Sequence, residues 1–403
     1  GGKFLRAIHN IQNAPFRTKF EHDFAHFRGH VGLGVISDTD PQPLVMESHL
    51  GVFALVTVGL VANMEALKNE LFENRHAQLQ YSTTSGALGQ TELVSAIIAS
   101  QDTIVDGLRR VQAAVEGSLS LLLVTADGTF YAMRDRYGRT PVVLGRRDGA
   151  MIAVQESCAL ANLGYEHLRD LGPGEVVVMT PDGARTVVEP GDTMAICSFL
   201  WVARHKEKLY AGNPVEADNV GGVPDSGTSH ALGYAHEAGL KYARPFVKYT
   251  PTWARSFMPG DQRQRDRVAS MKLIPIPGLI RDKRLVFCDD SIVRGTQLGN
   301  QAKRLYHYGA KEAHMRIACP PLLYGCRFLN FSRSKSVYDL ITRRYIREQE
   351  GANEEANIAK YQDPDSPEYK GMVEYIRKNL GLSSLAYQRL DDLVAAIGLP
   401  KDR

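Results

Sequence analysis

The chain has 403 residues, with 48 Lys+Arg against 45 Asp+Glu and a formal charge of +3. A hydrophobic fraction of 44% excludes wholesale disorder, and the near-balanced charge argues against a dedicated nucleic-acid binder. Five cysteines are too few for a disulfide scaffold, and no apolar run reaches the roughly 18 residues of a membrane span. At about 100–200 residues per domain, two or three domains are expected. Gly1 to Asn10 shows no apolar secretion signal, so a reducing cytoplasm is the expected compartment.

In chain order, the first half reads as strands with helices between them. Val52–Val61, Leu119–Thr125 and Gly174–Thr180 are apolar runs of strand composition. Thr91–Ser100 and Asp102–Glu116 carry apolar residues at helical spacing. Asp127-Gly128-Thr129 and Pro181-Asp182-Gly183 are turns. Strands interleaved with helices in this way predict a layered α+β or α/β/β/α body.

Past a boundary near Thr193–Cys197 the rhythm changes. Val220–Val223 predicts a short strand, then a Gly/Ser loop, then a helix over Ser229–Ala238. Pro245–Tyr249 and Arg284–Cys288 read as strands, and Thr296–Tyr308 as a helix closed by Gly309. Ala313–Ala318 is a further strand. Repeated strand–loop–helix units predict a parallel sheet. From about Glu348 the chain turns polar and helical. Ser366-Pro367 starts one helix, with Met372, Val373, Ile376 and Leu380 as its apolar face and Gly381 as its stop. Leu390, Leu393, Val394 and Ile397 mark a second helix, ending at Gly398.

The most informative stretch is Val286-Phe-Cys-Asp-Asp-Ser-Ile-Val-Arg-Gly-Thr296. A buried strand delivers Asp289 and Asp290 to its carboxyl end, where ligands of parallel sheets bind. The loop Ser291 to Thr296 (Ser291, Ile292, Val293, Arg294, Gly295, Thr296) then opens a helix and offers N–H groups and hydroxyls, a phosphate cradle. Two carboxylates beside it repel phosphate. They suit sugar hydroxyls or a hydrated Mg²⁺. A phosphate plus a vicinal diol is a ribose 5-phosphate. The blander alternative is that the two aspartates only cap the helix.

This string resembles the 5-phosphoribosyl 1-pyrophosphate (PRPP) motif of type I phosphoribosyltransferases, and its SIVRGT ending is most similar to the amidophosphoribosyltransferase family. Val223-Pro-Asp-Ser-Gly227 resembles that family's pyrophosphate loop, which implies pyrophosphate contacts at Asp225, Ser226 and Gly227. Lys248-Tyr249, Arg255-Ser256-Phe257 and the run to Lys272 resemble its mobile loop, which implies Lys248, Arg255 and Lys272 as catalytic cations. The resemblance implies attack of ammonia on the ribose anomeric carbon, loss of pyrophosphate with Mg²⁺ held at Asp289 and Asp290, and the first step of purine synthesis. Purine nucleotides as inhibitors and a homo-oligomer are also implied.

The first half resembles the family's glutaminase domain at Arg134-Asp-Arg-Tyr-Gly138, Glu156-Ser-Cys-Ala-Leu160 and Asp170-Leu-Gly-Pro-Gly-Glu175. The resemblance implies an N-terminal nucleophile-type α/β/β/α sandwich over 1–195, a phosphoribosyltransferase parallel-sheet domain over 196–347 and a helical extension over 348–403. Cys158, in a segment that matches structure rather than chemistry, is expected to be a buried small residue. Several catalytic positions depart. The chain starts at Gly1-Gly2 where the family has a catalytic Cys, so that segment is expected upstream. Gly32 and Leu33 replace an Arg-Tyr pair after His30-Val31. Val58-Gly59-Leu60 replaces an Asn-Gly-Asn oxyanion loop, and Gln90 replaces the Asp that would hold the glutamine amine. The domain is expected to keep its fold and not to hydrolyse glutamine by the family route.

Cys197 and Cys326 match two of the four cysteines that hold a [4Fe–4S] cluster in some members; the other two would form a C-x-x-C near the C-terminus. Either the sequence is incomplete or both are ordinary buried thiols. His22, His26 and His30 recur every fourth residue, and Arg343-Arg344-Tyr345-Ile346-Arg347 is basic. A solvated or packed face is expected for the first and a solvated face for the second, rather than a zinc site or a nucleic-acid patch. Three functions follow: an amidophosphoribosyltransferase, a PRPP-binding regulatory paralogue without catalysis, and an ammonia-dependent synthase with a degenerate glutaminase.

Overall fold

The structure is a computed structural model that describes residues 4–11, 16–37, 40–74, 79, 88–195, 197, 214–248, 273–326, 328 and 336–398. The chain divides into two units, one of Gly1–Ile196 with Cys326–Phe331 and Arg403, the other of Cys197–Gly325 with Ser332–Asp402.

The first unit opens with helix α1 (Phe16–Phe24) and strands β1 (Leu44–Ser48) and β2 (Gly51–Val61). Helices α2 (Met64–Glu73), α3 (Gln90–Ala99) and α4 (Ile104–Ala114) follow. Thr103 caps α4: its Oγ1 accepts from the Asp106 N–H at 3.1 Å and donates to the Asp106 carboxylate at 2.6 Å. Strands β3 (Gly117–Thr125) and β4 (Phe130–Met133) come next, then β5 (Val143–Arg147) and β6 (Ala150–Val154). Helix α5 (Cys158–Leu163) precedes β7 (Glu166–Asp170), β8 (Val176–Thr180) and β9 (Gly183–Val188). An antiparallel sheet runs in the order β1-β2-β3-β4-β8-β9, and a smaller one in the order β6-β5-β7.

Alternation along β2 and β3 makes the layers. Phe53, Leu55, Leu119, Leu121 and Leu123 pack under Leu93, Ile97 and Leu108 of the helices. The opposite face of the large sheet meets the small sheet through Ala132, Val177, Leu144 and Ala153. The Arg134–Gly138 motif serves this body. Buried Asp135 accepts from the N–H groups of Leu119, Tyr137 and Arg139 at 2.9–3.1 Å. Cys158 departs from expectation: it is exposed at the start of α5, because only Leu160 of that short helix turns inward. α1 ends before His26 and His30, so the three histidines share no helix face and stay exposed.

The second unit holds β10 (Asn219–Gly222), helix α6 (Ser226–Ala238), the ribbon β11 (Phe246–Lys248) with β12 (Leu273–Pro275), β13 (Arg284–Asp289), α7 (Thr296–His307) and β14 (Glu312–Ile317). Helices α8 (Ile341–Glu350) and α9 (Pro367–Leu380), strand β15 (Ser384–Tyr387) and helix α10 (Leu390–Ile397) complete it. The parallel sheet runs β10-β13-β14-β15. α9 begins as its sequence dictates, with Ser366 Oγ accepting from the Tyr369 N–H at 3.1 Å and Pro367 in the first turn. Its buried Met372, Ile376 and Leu380 join the same core as Phe287, Leu298 and Met315.

Three local expectations are corrected here. α6 starts at Ser226, not Ser229, so the Gly/Ser stretch is helix rather than loop. β15 was not expected and adds a fourth strand beside β14. Arg343 is buried rather than solvated, paired with Glu355 and, at 3.8 Å, with Glu354. Arg344 and Arg347 on the same helix are exposed as expected. Among the described residues no helix is long and apolar enough to cross a membrane.

Candidate active site at the carboxyl ends of the parallel strands

β10 and β13 are parallel neighbours, each followed by a helix. Their carboxyl ends therefore bring two helix N-termini, those of α6 and α7, to one edge of the sheet. First-turn N–H groups lack intrahelical acceptors, and both ends carry partial positive charge. Asp289, the last residue of β13, sits between them and is 7% exposed.

The approach of α6 to β13 depends on glycine. A Cβ on Gly227 would lie 2.0 Å from the Cys288 carbonyl oxygen. Without it, the first turn of α6 lies directly on the strand end. The Val223 N–H donates to the Cys288 carbonyl at 3.0 Å, and the Gly227 N–H to the Val223 carbonyl at 2.8 Å. This closeness lets Ser226 Oγ donate to Asp289 Oδ1 at 2.8 Å. The Asp290 N–H donates to the same oxygen at 3.0 Å, and the Ser291 N–H to Asp290 Oδ1 at 2.9 Å. The Pro224–Asp225 peptide is cis. Asp225 is exposed and pairs with Lys248 Nζ at 2.5 Å, so the ribbon β11–β12 delivers a cation to this edge.

The loop from Ser291 to Thr296 has two sides. Ile292 is buried in the core, while Arg294 and Thr296 are exposed. Gly295 adopts φ +76° as the residue before α7, a conformation that L side chains rarely take. The Val293 carbonyl accepts from the Ile341 N–H at 2.8 Å, and Arg294 pairs with Asp339 at 2.8 Å, so the start of α8 braces the loop.

Burial, and then the charge of neighbouring Asp290, raise the Asp289 pKa well above the ordinary 3.8. Hydroxyl donors or a divalent cation relieve that cost, and hard carboxylate oxygens suit Mg²⁺. Magnesium commonly takes one or two protein carboxylates plus substrate phosphates, so the pair fits it. Among the described residues no group of three or more His, Cys, Asp and Glu is placed to hold a metal. Burial pushes the Cys288 and Cys319 thiols up, which leaves both protonated and unreactive.

Of the residues expected from sequence, Asp225, Ser226, Gly227, Lys248 and the run Asp289 to Thr296 gather at this edge. Arg255 and Lys272 lie outside the described residues. Cys197 is half-buried and Cys326 exposed, and neither is in a disulfide. Sequence reasoning missed the Ser226–Asp289 bond and the bracing by Asp339 and Ile341, contacts separated by 63, 45 and 48 residues that no local pattern encodes.

Residues 26–162 match the glutamine amidotransferase domain family. The amidophosphoribosyltransferase of Archaeoglobus fulgidus is 31% identical over 376 residues, which cover 88% of this chain and 75% of that one. The chain belongs to the amidophosphoribosyltransferase family. The chloroplastic amidophosphoribosyltransferase of Glycine max is 32% identical over 379 residues, and the match covers 89% of this chain and 60% of that longer protein. The glutamine PRPP amidotransferase structure from B. subtilis, complexed with ADP and GMP, superposes with a TM-score of 0.72 at 26% identity, covering 90% of this chain and 77% of that one. The amidophosphoribosyltransferase fold expected from sequence is thus present: an antiparallel first body, then a parallel-sheet body with terminal helices.

Proposed function

We propose that this chain joins ammonia to the anomeric carbon of PRPP, releasing pyrophosphate and giving 5-phosphoribosylamine, the first step of purine synthesis. The observation that carries this reading is Asp289, buried between two helix N-termini and bonded to Ser226. The 5-phosphate lies on Ser291 to Thr296 at the N-terminus of α7. Asp225, Ser226 and Gly227 line the pyrophosphate side at the N-terminus of α6. Asp289 and Asp290 hold the ribose hydroxyls or Mg²⁺. A bound Mg²⁺ neutralises charge on the leaving pyrophosphate. Lys248 moves from Asp225 onto that pyrophosphate, with Arg255 and Lys272 as further cations.

The domains follow the same reading: a glutaminase-like body over 1–195, the phosphoribosyltransferase over 196–347 and an extension over 348–403. Purine nucleotides are proposed as inhibitors, a homo-oligomer as the assembly and the cytoplasm, which suits five cysteines outside any disulfide, as the compartment. A [4Fe–4S] cluster at Cys197 and Cys326 needs two further thiolates.

The source of ammonia is where one observation favours a narrower reading. Gln90, 7% exposed, starts α3, with its carboxamide bonded to the Gly59 carbonyl at 3.2 Å and the Val61 N–H at 3.4 Å. The side chain that replaces an amine-binding Asp is thus committed to the chain's own strand. Neither Val58 nor Leu60 carries a side-chain donor for an oxyanion. Free ammonia is the nitrogen source on this reading. The test is pyrophosphate release from PRPP and Mg²⁺. Release with ammonium but not glutamine is expected; efficient release with glutamine overturns the narrower reading, and release with neither overturns the synthase in favour of a PRPP sensor.

A further inference from the structure

The back of the 291–296 loop forms one wall of a second site. A groove of about 250 Å³ opens between α7, α8 and α9. Arg294, Lys303 and Arg344 line it, with Thr296, Asn300 and Asn379 adding hydroxyl and carboxamide groups. No carboxylate is among its lining residues. Thr296, Asn300 and Lys303 recur at four and three residues along α7 and so share one face of that helix. All three cations are exposed. Arg294 is partly neutralised by Asp339 outside the groove, and Arg344 donates to the Arg294 carbonyl at 2.7 Å. Lys303 makes no ion pair among the described residues. Three cations, of which only Arg294 has an acidic partner among the described residues, surround polar donors with room for several heavy atoms and complement one chemistry.

We propose that this groove binds the phosphate group of a small anion, at a site separate from the inner face of the loop. Arg294 and Arg344 supply planar guanidinium donors, Lys303 a compact charge, and Asn300 and Asn379 neutral donors that fix orientation. The size admits a phosphate with a short organic group. The groove shares Arg294, Gly295 and Thr296 with the loop read above as the 5-phosphate cradle, while Asn300, Lys303, Arg344 and Asn379 lie outside that loop.

The test titrates inorganic phosphate, followed by phosphorus NMR, into the full chain saturated with PRPP and Mg²⁺ but without ammonia. One phosphate per chain is expected to bind, about tenfold or more weaker in Lys303→Glu and retained in Lys303→Arg. Glycerol 3-phosphate is the second arm: equal affinity assigns the free anion, tighter binding a phosphorylated metabolite. Binding that disappears on PRPP saturation, or that Lys303→Glu leaves unchanged, overturns the site. PRPP is titrated first and separately. If it does not bind, the Lys303→Glu comparison on the free chain still decides the groove.

Discussion

Ser226 Oγ donates to Asp289 Oδ1 at 2.8 Å and so ties the first turn of α6 to the end of β13. This bond holds a buried carboxylate at one orientation between two phosphate-competent helix ends. Ser226→Ala removes the only side-chain donor to Asp289 seen among the described residues. A hydrogen bond to a charged group contributes about 1.5–3 kcal/mol, so PRPP affinity is expected to fall roughly tenfold or more, read by calorimetry with Mg²⁺.

Asp289 also sets a pH dependence whose two halves have opposite sign. Its folded pKa is raised by burial and then by Asp290. A raised carboxylate contributes stability at low pH that is lost as pH rises through the folded value. PRPP and Mg²⁺ need the ionised form, so binding weakens as pH falls through that same window, above the ordinary 3.8. Asp289→Asn keeps an acceptor oxygen for Ser226 without the charge. Its thermal midpoint in the absence of ligand is expected to exceed the wild type at neutral pH, with the difference shrinking on acidification. Its PRPP affinity is expected to fall about 100-fold. A variant that loses affinity with no gain in midpoint would show that Asp289 bears no ionisation cost.

Much of this site was legible because its parts are local. A six-residue apolar strand, two carboxylates and a glycine before a helix lie within one short stretch, each with a sequence pattern of its own. What failed was non-local. Gly227 reads as a loop glycine, yet it is helical and is small because a carbonyl lies where its side chain would be. β15 is four residues long and is fixed by pairing with β14, His314 opposite Ser384, across 70 residues. Arg343 sits in a basic run that composition assigns to solvent, and its acidic partners arrive a helix later. Cys158 looked like a core residue, but α5 is too short to bury more than one position.

The close packing at Gly227 has a direct cost when changed. In Gly227→Ala the new Cβ meets backbone, at 2.0 Å from the Cys288 oxygen and 2.9 Å from its carbon, so no side chain can yield. A loss of about 3 kcal/mol in urea unfolding is expected, together with displacement of Ser226 and weaker PRPP binding. Gly278→Ala, which meets nothing within 4 Å, is the control and should stay within about 0.5 kcal/mol of the parent.

Arg343 tests the second unit away from the loop. It is 1% exposed, pairs with Glu355, and has an Nε without a partner. Glu354 beside it is buried and accepts from the Tyr338 hydroxyl. Arg343→Ala leaves Glu354 without its cation and is expected to lower unfolding free energy by about 3 kcal/mol. Arg347→Ala removes an exposed guanidinium stacked 4.4 Å from the Tyr338 ring and should cost under about 1 kcal/mol.

The committed side chain of Gln90 makes the nitrogen source testable from stability as well as activity. Its carboxamide satisfies the Gly59 carbonyl and the Val61 N–H at the end of β2, while Thr91 beside it donates to Asp40 from both its N–H and its hydroxyl at 2.9 and 3.0 Å. Removing the carboxamide leaves the buried Val61 N–H and the part-buried Gly59 carbonyl short of a partner, so Gln90→Ala is expected to cost about 1–3 kcal/mol in urea unfolding. A side chain that filled an emptied substrate pocket without bonding the strand would cost far less. Calorimetry of the wild type with L-glutamine is expected to show no binding, because the position that should carry a negative charge toward the amine instead faces the chain's own carbonyl. Saturable glutamine binding, with Gln90→Ala as stable as the parent, would mean that the carboxamide leaves the strand and that this body still takes its substrate.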